Sequence, residues 1–353
     1  MTHSWSNAAS SAEVTIPEPA AEKPTRQLEG FAVCSGVWAS AIPFPSPLAY
    51  SFSYTLRYPA GLVVVDLGWN SDAAWDAFCR GLTRAGGSLD EVIGVVATHA
   101  HPDHYGLAPR IREHTGAWIG THPAERSQIR VDELERRERV AAIGRWLREC
   151  GVPGTVLADL RDELTRLDAV LPTVKPDILL TDGAAVPGTG GRLMALHTPG
   201  HTPGSLCFHE TERDLVFTGD HVLPKVTPNV ARRPGSDPDP LRDFVSSLGR
   251  LRHLPDSVTA LPGHEWPFDR LTDRLDAIDA HHHTRLVEIE HAVRQGCGTV
   301  WEVAQAVTWA RPFPAFTPRS LRSALAETYA HLVRLAADGR LVQRPGPPER
   351  WDL

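Results

Sequence analysis

Thr98-His-Ala-His-Pro-Asp-His-Tyr-Gly106 places His99, His101, Asp103 and His104 within six consecutive residues. Imidazole nitrogens and carboxylate oxygens are the donors that zinc and other borderline metals take. The spacing His-x-His lets two rings converge on one ion from an extended or tightly turned backbone. Asp103 and His104, just beyond, can face a second ion. The preceding Glu91-Val-Ile-Gly-Val-Val-Ala97 reads as a buried strand. The cluster therefore sits at a strand's C-terminal end, where open α/β sheets place their chemistry.

Three later positions repeat the device. His201 lies in His197-Thr-Pro-Gly-His-Thr-Pro-Gly-Ser205. Asp220 lies in Phe217-Thr-Gly-Asp-His221, after the apolar Leu215-Val216, and His264 lies in Leu261-Pro-Gly-His-Glu265. Each follows a strand-like run and stands beside Gly or Pro, which mark sharp turns.

This order resembles the metallo-β-lactamase superfamily over roughly residues 30 to 275, with no ligand position replaced. The resemblance implies that His99, His101 and His201 hold one metal, that Asp103, His104 and His264 hold the other, and that Asp220 bridges them. It implies two zinc ions, with iron or manganese as alternatives. Asp66, ending Gly61-Leu-Val-Val-Val-Asp66, matches a position that orients the His-rich loop from behind rather than binding metal. The fold it implies is α/β: a four-layer αββα sandwich of two mixed sheets with helices outside.

The rest of the chain bounds the reading. A length of 353 residues suits one large and one small domain. The formal net charge is −7, with 43 acidic against 36 basic residues, which speaks against nonspecific attraction to nucleic acid. Five scattered cysteines without a Cys-x-x-Cys point to a reducing compartment rather than a disulfide framework. Residues 1–27 lack the basic start and apolar core of a signal peptide and read as a disordered lead-in, so a cytoplasmic location is expected. No run approaches the roughly 18 apolar residues of a membrane span.

Strand-like runs at Phe31-Ala-Val33, Tyr50–Leu56 and Leu62–Val65 alternate with a helix capped by Ser71 and running to about Arg84, and this alternation gives an α/β class. The expected catalytic domain covers 28–275. Within it, residues 122–170 are dense in Arg and Glu with apolar residues at helical spacing, and are expected to form a helical cap over the cleft. A long helix is predicted from Pro267 to about Gln295. Its His281-His-His283 is not expected to ligate, because consecutive helical residues point in different directions. Residues 276–353 form a small module. Thr299 and Glu302 make a capping box, and Leu321, Leu325, Leu332 and Leu335 sit at helical spacing before a strand near Arg340–Gln343. That order resembles the winged-helix tail of one subgroup of the superfamily.

The expected function is a metal-dependent hydrolase of a small ester, thioester or lactone, using a metal-bridging hydroxide. Two metals lower the pKa of such a water from about 16 towards 7. Asp220 and Asp103 are the candidate catalytic carboxylates, and His221 and Tyr105 the candidate proton donors. Lys225 and Asn229 are weaker candidates for gripping a substrate. The expected partner is a small or carrier-bound substrate rather than nucleic acid or membrane, and a homodimer is allowed. Two alternatives compete: an endoribonuclease or other phosphodiesterase, and a noncatalytic metal-binding or DNA-binding regulator. Over 281–353 nine Arg face seven Asp and Glu, a small basic excess for a helix aimed at a DNA groove.

Overall fold

The computed structural model describes residues 29–45, 48–129, 133–160 and 174–353. Seven strands form one sheet in chain order: β1 (Gly30–Cys34), β2 (Val37–Pro43), β3 (Tyr50–Tyr58), β4 (Gly61–Val65), β5 (Val92–Val96), β6 (Trp118–Thr121) and β7 (Ile178–Leu179). Pairing is antiparallel from β1 to β4 and parallel from β4 to β7. A second sheet has the order β11-β10-β9-β8, built from β8 (Leu193–His197), β9 (Leu206–Glu210), β10 (Leu215–Gly219) and β11 (Thr259–Pro262).

Successive strand residues face opposite sides of a sheet. In β4 this sends Val63 and Val65 into the space between the sheets, where they join Phe52, Tyr54, Phe208 and Phe217. Leu62 and Val64 point the other way, under α1 (Asp72–Arg84) and α3 (Ala108–His114). With both faces covered, β4 reads as an unbroken apolar run. The outer face of the second sheet is covered by α5 (Pro240–Leu251) and the start of α6 (Leu271–Arg294). The result is four layers: helix, sheet, sheet, helix.

A further core lies beside the sandwich. The end of α4 (Glu133–Glu149) supplies Trp146 and Leu147; α6 supplies Ile289 and Val293. Helices α7 (Val300–Ala306) and α8 (Pro318–Ala337) add Val303, Leu325, Leu332 and Leu335, and Trp351 comes from a hairpin of β12 (Val342–Arg344) and β13 (Arg350–Asp352). Helix α6 thus begins in one core and ends in the other, and a domain boundary at 275/276 falls inside it. It starts at Leu271 rather than at Pro267, because Phe268 still pairs with Ala260 and Arg270 turns at φ +58. The lead-in over 1–27 and most of the helical pattern at Asp159–Leu171 lie outside the described residues.

Candidate metal centre

Four loops at the C-terminal ends of strands carry the ligand-type side chains. β5 feeds His99 and His101, and the single turn α2 (Pro102–Tyr105) carries Asp103 and His104. His201 follows β8, Asp220 follows β10, and His264 follows β11. Their donor atoms gather into two groups: His99, His101, His201 and Asp220, and Asp103, His104 and His264.

In the first group His101 Nδ1 lies 2.9 Å from His99 Nε2 and 3.1 Å from His201 Nε2. Tetrahedral ligands at the usual zinc–nitrogen distance stand roughly 3.3 Å apart, so this crowding of nitrogens is what a shared cation produces. In the second group His264 Nε2 is 3.4 Å from Asp103 Oδ2. Asp220 joins the two: its Oδ1 lies 3.3 Å from His104 Nε2 and 3.4 Å from His264 Nε2, and its Oδ2 lies 3.8 Å from His201 Nε2. His104 Nε2 and Asp220 Oδ1 are buried without a hydrogen-bond partner. Buried polar atoms rarely stay unsatisfied, and a cation between them satisfies both. The donor set fits a metal.

The opposite side of each ring explains the aim. His201 Nδ1–H donates to the carbonyl of Asn229 at 2.9 Å, and His264 Nδ1–H to the carbonyl of Tyr50 at 3.0 Å. A carbonyl only accepts, so Nδ1 carries a proton and Nε2 is the nitrogen turned to the site. His104 Nδ1–H donates to Asp66 Oδ2 at 2.8 Å. Thr98 donates its hydroxyl to Asp66 and lies 3.1 Å from His99 Nδ1. Asp66 also accepts from the Thr98 N–H at 2.8 Å, and holds this post from a left-handed backbone, φ +59. Strain of this kind collects at functional sites.

Electrostatics follow the packing. Burial and the neighbouring imidazoles keep His99 and His101 well below the ordinary histidine range, so both rings are neutral. Burial also opposes charge on His264, but the Asp220 and Asp103 carboxylates outweigh it and hold the ring up at about 10. Burial works against the Asp103 carboxylate too, yet His264 and His104 bring it down to about 2. A field that favours positive charge this strongly also favours a divalent cation. Space is tight: a Cβ on Gly263 would lie 2.5 Å from His104 Cε1 and 2.8 Å from Asp220 Oδ1.

Glu125 is the residue that sequence reasoning missed. It is fully buried in the 3-10 turn Pro123–Gln128. Its Oε2 accepts from the Ala100 N–H at 2.7 Å and its Oε1 from the Gly204 N–H at 2.8 Å. One carboxylate thus ties the His99-x-His101 loop to the His201 loop. Nothing local in the sequence distinguishes it from the other glutamates of that stretch.

The donors open on a cavity of about 910 Å³, lined by His101, Asp103, His201, Asp220 and His264. Its lining includes the apolar Phe44, Leu48 and Trp69, Val140 and Ile143 of α4, and the arginines Arg233, Arg319 and Arg322. His221 does not reach this space. Its ring packs on Phe244 at 4.7 Å, neither nitrogen has a partner, and burial and His201 hold it down at about 3. Tyr105 is fully buried in the outer core with α1 and α3, and its hydroxyl feels Arg112 and Asp177 rather than the ligands. Lys225 does not line the cavity; Asn229 does, with its side chain turned to Ser323 and Glu327 of α8. Of the His281–His283 run, His282 is buried against His331, 3.1 Å away, and belongs to neither donor group. His197 stacks on His122 behind the His201 loop.

The sequence profile of the Metallo-beta-lactamase superfamily matches residues 47–264. A metallo-beta-lactamase family protein from Thermus thermophilus superposes with a TM-score of 0.75 at 30% identity, over 90% of this chain and 98% of that one. A beta-lactamase domain protein from Burkholderia ambifaria superposes with a TM-score of 0.78 at 25% identity, over 93% and 96%. The human acyl-coenzyme A thioesterase MBLAC2 is 30% identical over 172 residues, 48% of this chain and 54% of that protein. The chain therefore spans about half the length of that curated relative. With the profile covering more than half of its residues and solved members superposing over about nine-tenths of it, the chain belongs to the metallo-beta-lactamase superfamily, a family of metal-binding proteins that are generally hydrolases.

Proposed function

We propose that this chain is a two-metal, zinc-dependent hydrolase that cleaves acyl thioesters. The observation that carries the reading is the pair of donor groups sharing Asp220 at the floor of one large cavity. Bound divalent metals supply an activated water and polarise the oxygen of the scissile bond. The chain's own residues do the rest. Asp220 spans both groups and fixes their separation. Asp66, Glu125 and the Tyr50 and Asn229 carbonyls hold the rings in place, which is how outer groups tune a metal site. Helix α4 is the cap: it walls the cavity, and its Val140 and Ile143 face an acyl chain.

The leaving group favours a thioester over an alkyl ester. Neither His221 nor Tyr105 lines the cavity, and His221 is held neutral at about 3 by burial and His201. A thiol has a pKa of about 8.5, so a thiolate departs without a proton donor, whereas an alkoxide needs one. The likeness to a thioesterase over 172 residues points the same way. The nuclease reading finds less support, because α8 is packed into a core on most of its faces and its N-terminal half lines the cavity.

The test is a panel of acyl thioesters, alkyl esters, lactones, β-lactams, phosphodiesters and single-stranded RNA offered to zinc-loaded protein. Thioester turnover should lead and should vanish in Asp220→Ala. RNA or phosphodiester cleavage that vanishes in the same variant, without thioester turnover, makes the protein a nuclease instead.

A further inference from the structure

Arg233 stands out among the arginines that line the cavity. Many arginines in this chain meet a carboxylate, such as Arg213 with Glu210 and Arg334 with Asp239. The Arg233 guanidinium has no hydrogen bond and no ion pair with any described residue, although it lies in the cavity wall with His101 and His201. It is close enough to both rings to make them harder to protonate. Burial, and after it the Arg322 guanidinium, push Arg233 down to about 10. A half-buried cation in a cavity wall is better held when an anion completes it.

The position is also built rather than loose. The Arg233 N–H donates to Ser236 Oγ at 3.0 Å, and the Ser236 hydroxyl donates back to the Arg233 carbonyl at 2.8 Å. Arg232, the preceding residue, donates its backbone N–H to Ala326 of α8 at 2.9 Å. The turn is fastened on both sides, while the Arg233 guanidinium, without a partner among the described residues, lines the substrate space.

We infer that Arg233, with Arg322 beside it, forms a subsite for an anionic group, carboxylate or phosphate, on the thiol portion of the substrate. The inference rests on the thioester reading and deepens it. The apolar Phe44, Leu48 and Trp69, with Val140 and Ile143 of α4, take the acyl chain, the donor groups take the scissile bond, and the two arginines take the charged carrier. A planar guanidinium matches either anion with two parallel hydrogen bonds.

The experiment compares wild-type zinc-loaded protein with Arg233→Gln and Arg233→Lys on three thioesters of one acyl group. Acyl-coenzyme A offers phosphates, acyl-glutathione offers carboxylates, and acyl-N-acetylcysteamine offers no charge. Charge-assisted hydrogen bonds of this kind correspond to losses of roughly 10- to 100-fold. Arg233→Gln should therefore lose about that much more kcat/KM on one charged thioester than on the neutral one, mainly through KM. Whether coenzyme A or glutathione suffers more names phosphate or carboxylate. Arg233→Lys should fall in between, and it serves in place of the glutamine variant if that one does not fold. Equal losses on all three substrates, or no loss on any, overturn the subsite. A second readout does not need turnover: inorganic sulfate, at matched ionic strength against chloride, should raise the melting temperature of the wild type and not of Arg233→Gln. If no thioester is cleaved but sulfate still stabilises through Arg233, the thioester reading fails and the anion subsite stands. If sulfate does nothing, the subsite fails whatever the turnover.

Discussion

Glu125 holds two backbone N–H groups from loops 25 and 79 residues away in the chain, and so sets the spacing of three donor histidines it never touches. Replacing it with Gln keeps the size and turns one accepting oxygen into a donor that faces an N–H. Outer supports of a metal site typically govern 10- to 100-fold in metal affinity. Glu125→Gln should lower zinc affinity by about that factor, read by competition with a chromophoric chelator, while circular dichroism stays close to wild type. Unchanged affinity would remove Glu125 from the site. Gly263→Ala tests the other side: its methyl must displace His104 or Asp220, so zinc content should fall. The gathering of these donor side chains is legible in the sequence, because metal chemistry demands particular residue types and the strand-end loops announce them. A proton donor is not. His221 and Tyr105 stand next to ligands in sequence, but neighbours along a chain point in different directions. Glu125 is invisible there because its partners are neighbours only in space.

At the scale of elements, α8 and α4 share a core, and the loop between β10 and α5 hangs from α8 through Arg232 and Asn229. Asn229 in turn holds His201. The C-terminal module is therefore a wall of the site as well as a cover for apolar surface. Leu325 is fully buried in this core. Leu325→Ala should cost about 2–5 kcal/mol, measured by denaturant unfolding; a loss under about 0.5 kcal/mol would mean the helix is not packed as described. The capping box at Thr299 and Glu302, the leucine stripe and the Ser71 cap are readable from sequence, since each is a local pattern. Helix α5 escapes the sequence reading although Asp239 caps it and Pro240 opens it; those signals are short and sit in a loop rich in Pro and Gly. The docking of α4 on the tail cannot be read at all, because periodicity gives an apolar face and not its partner.

The whole molecule carries a formal charge of −7, and none of its described helices is long and apolar enough to cross a membrane. Nonspecific affinity for nucleic acid comes from neutralising phosphates and falls steeply with salt. The protein should bind single-stranded RNA and duplex DNA only weakly at physiological salt, in titrations at two salt concentrations; submicromolar binding there would contradict the assignment of the tail to packing. Deleting residues 298–353 should strip α4 and α6 of their shared core, and the truncated chain should lose solubility and activity together. A soluble, active truncation would show the module to be dispensable. On the proposed function, two cations held around Asp220 make this chain a thioester hydrolase. The most direct test is turnover of an acyl thioester as zinc is titrated into metal-stripped protein. Activity should start from nothing and level off at two equivalents of zinc per chain, and should not return in Asp220→Ala at any zinc concentration. Full turnover by the stripped protein, or by Asp220→Ala, would contradict the account.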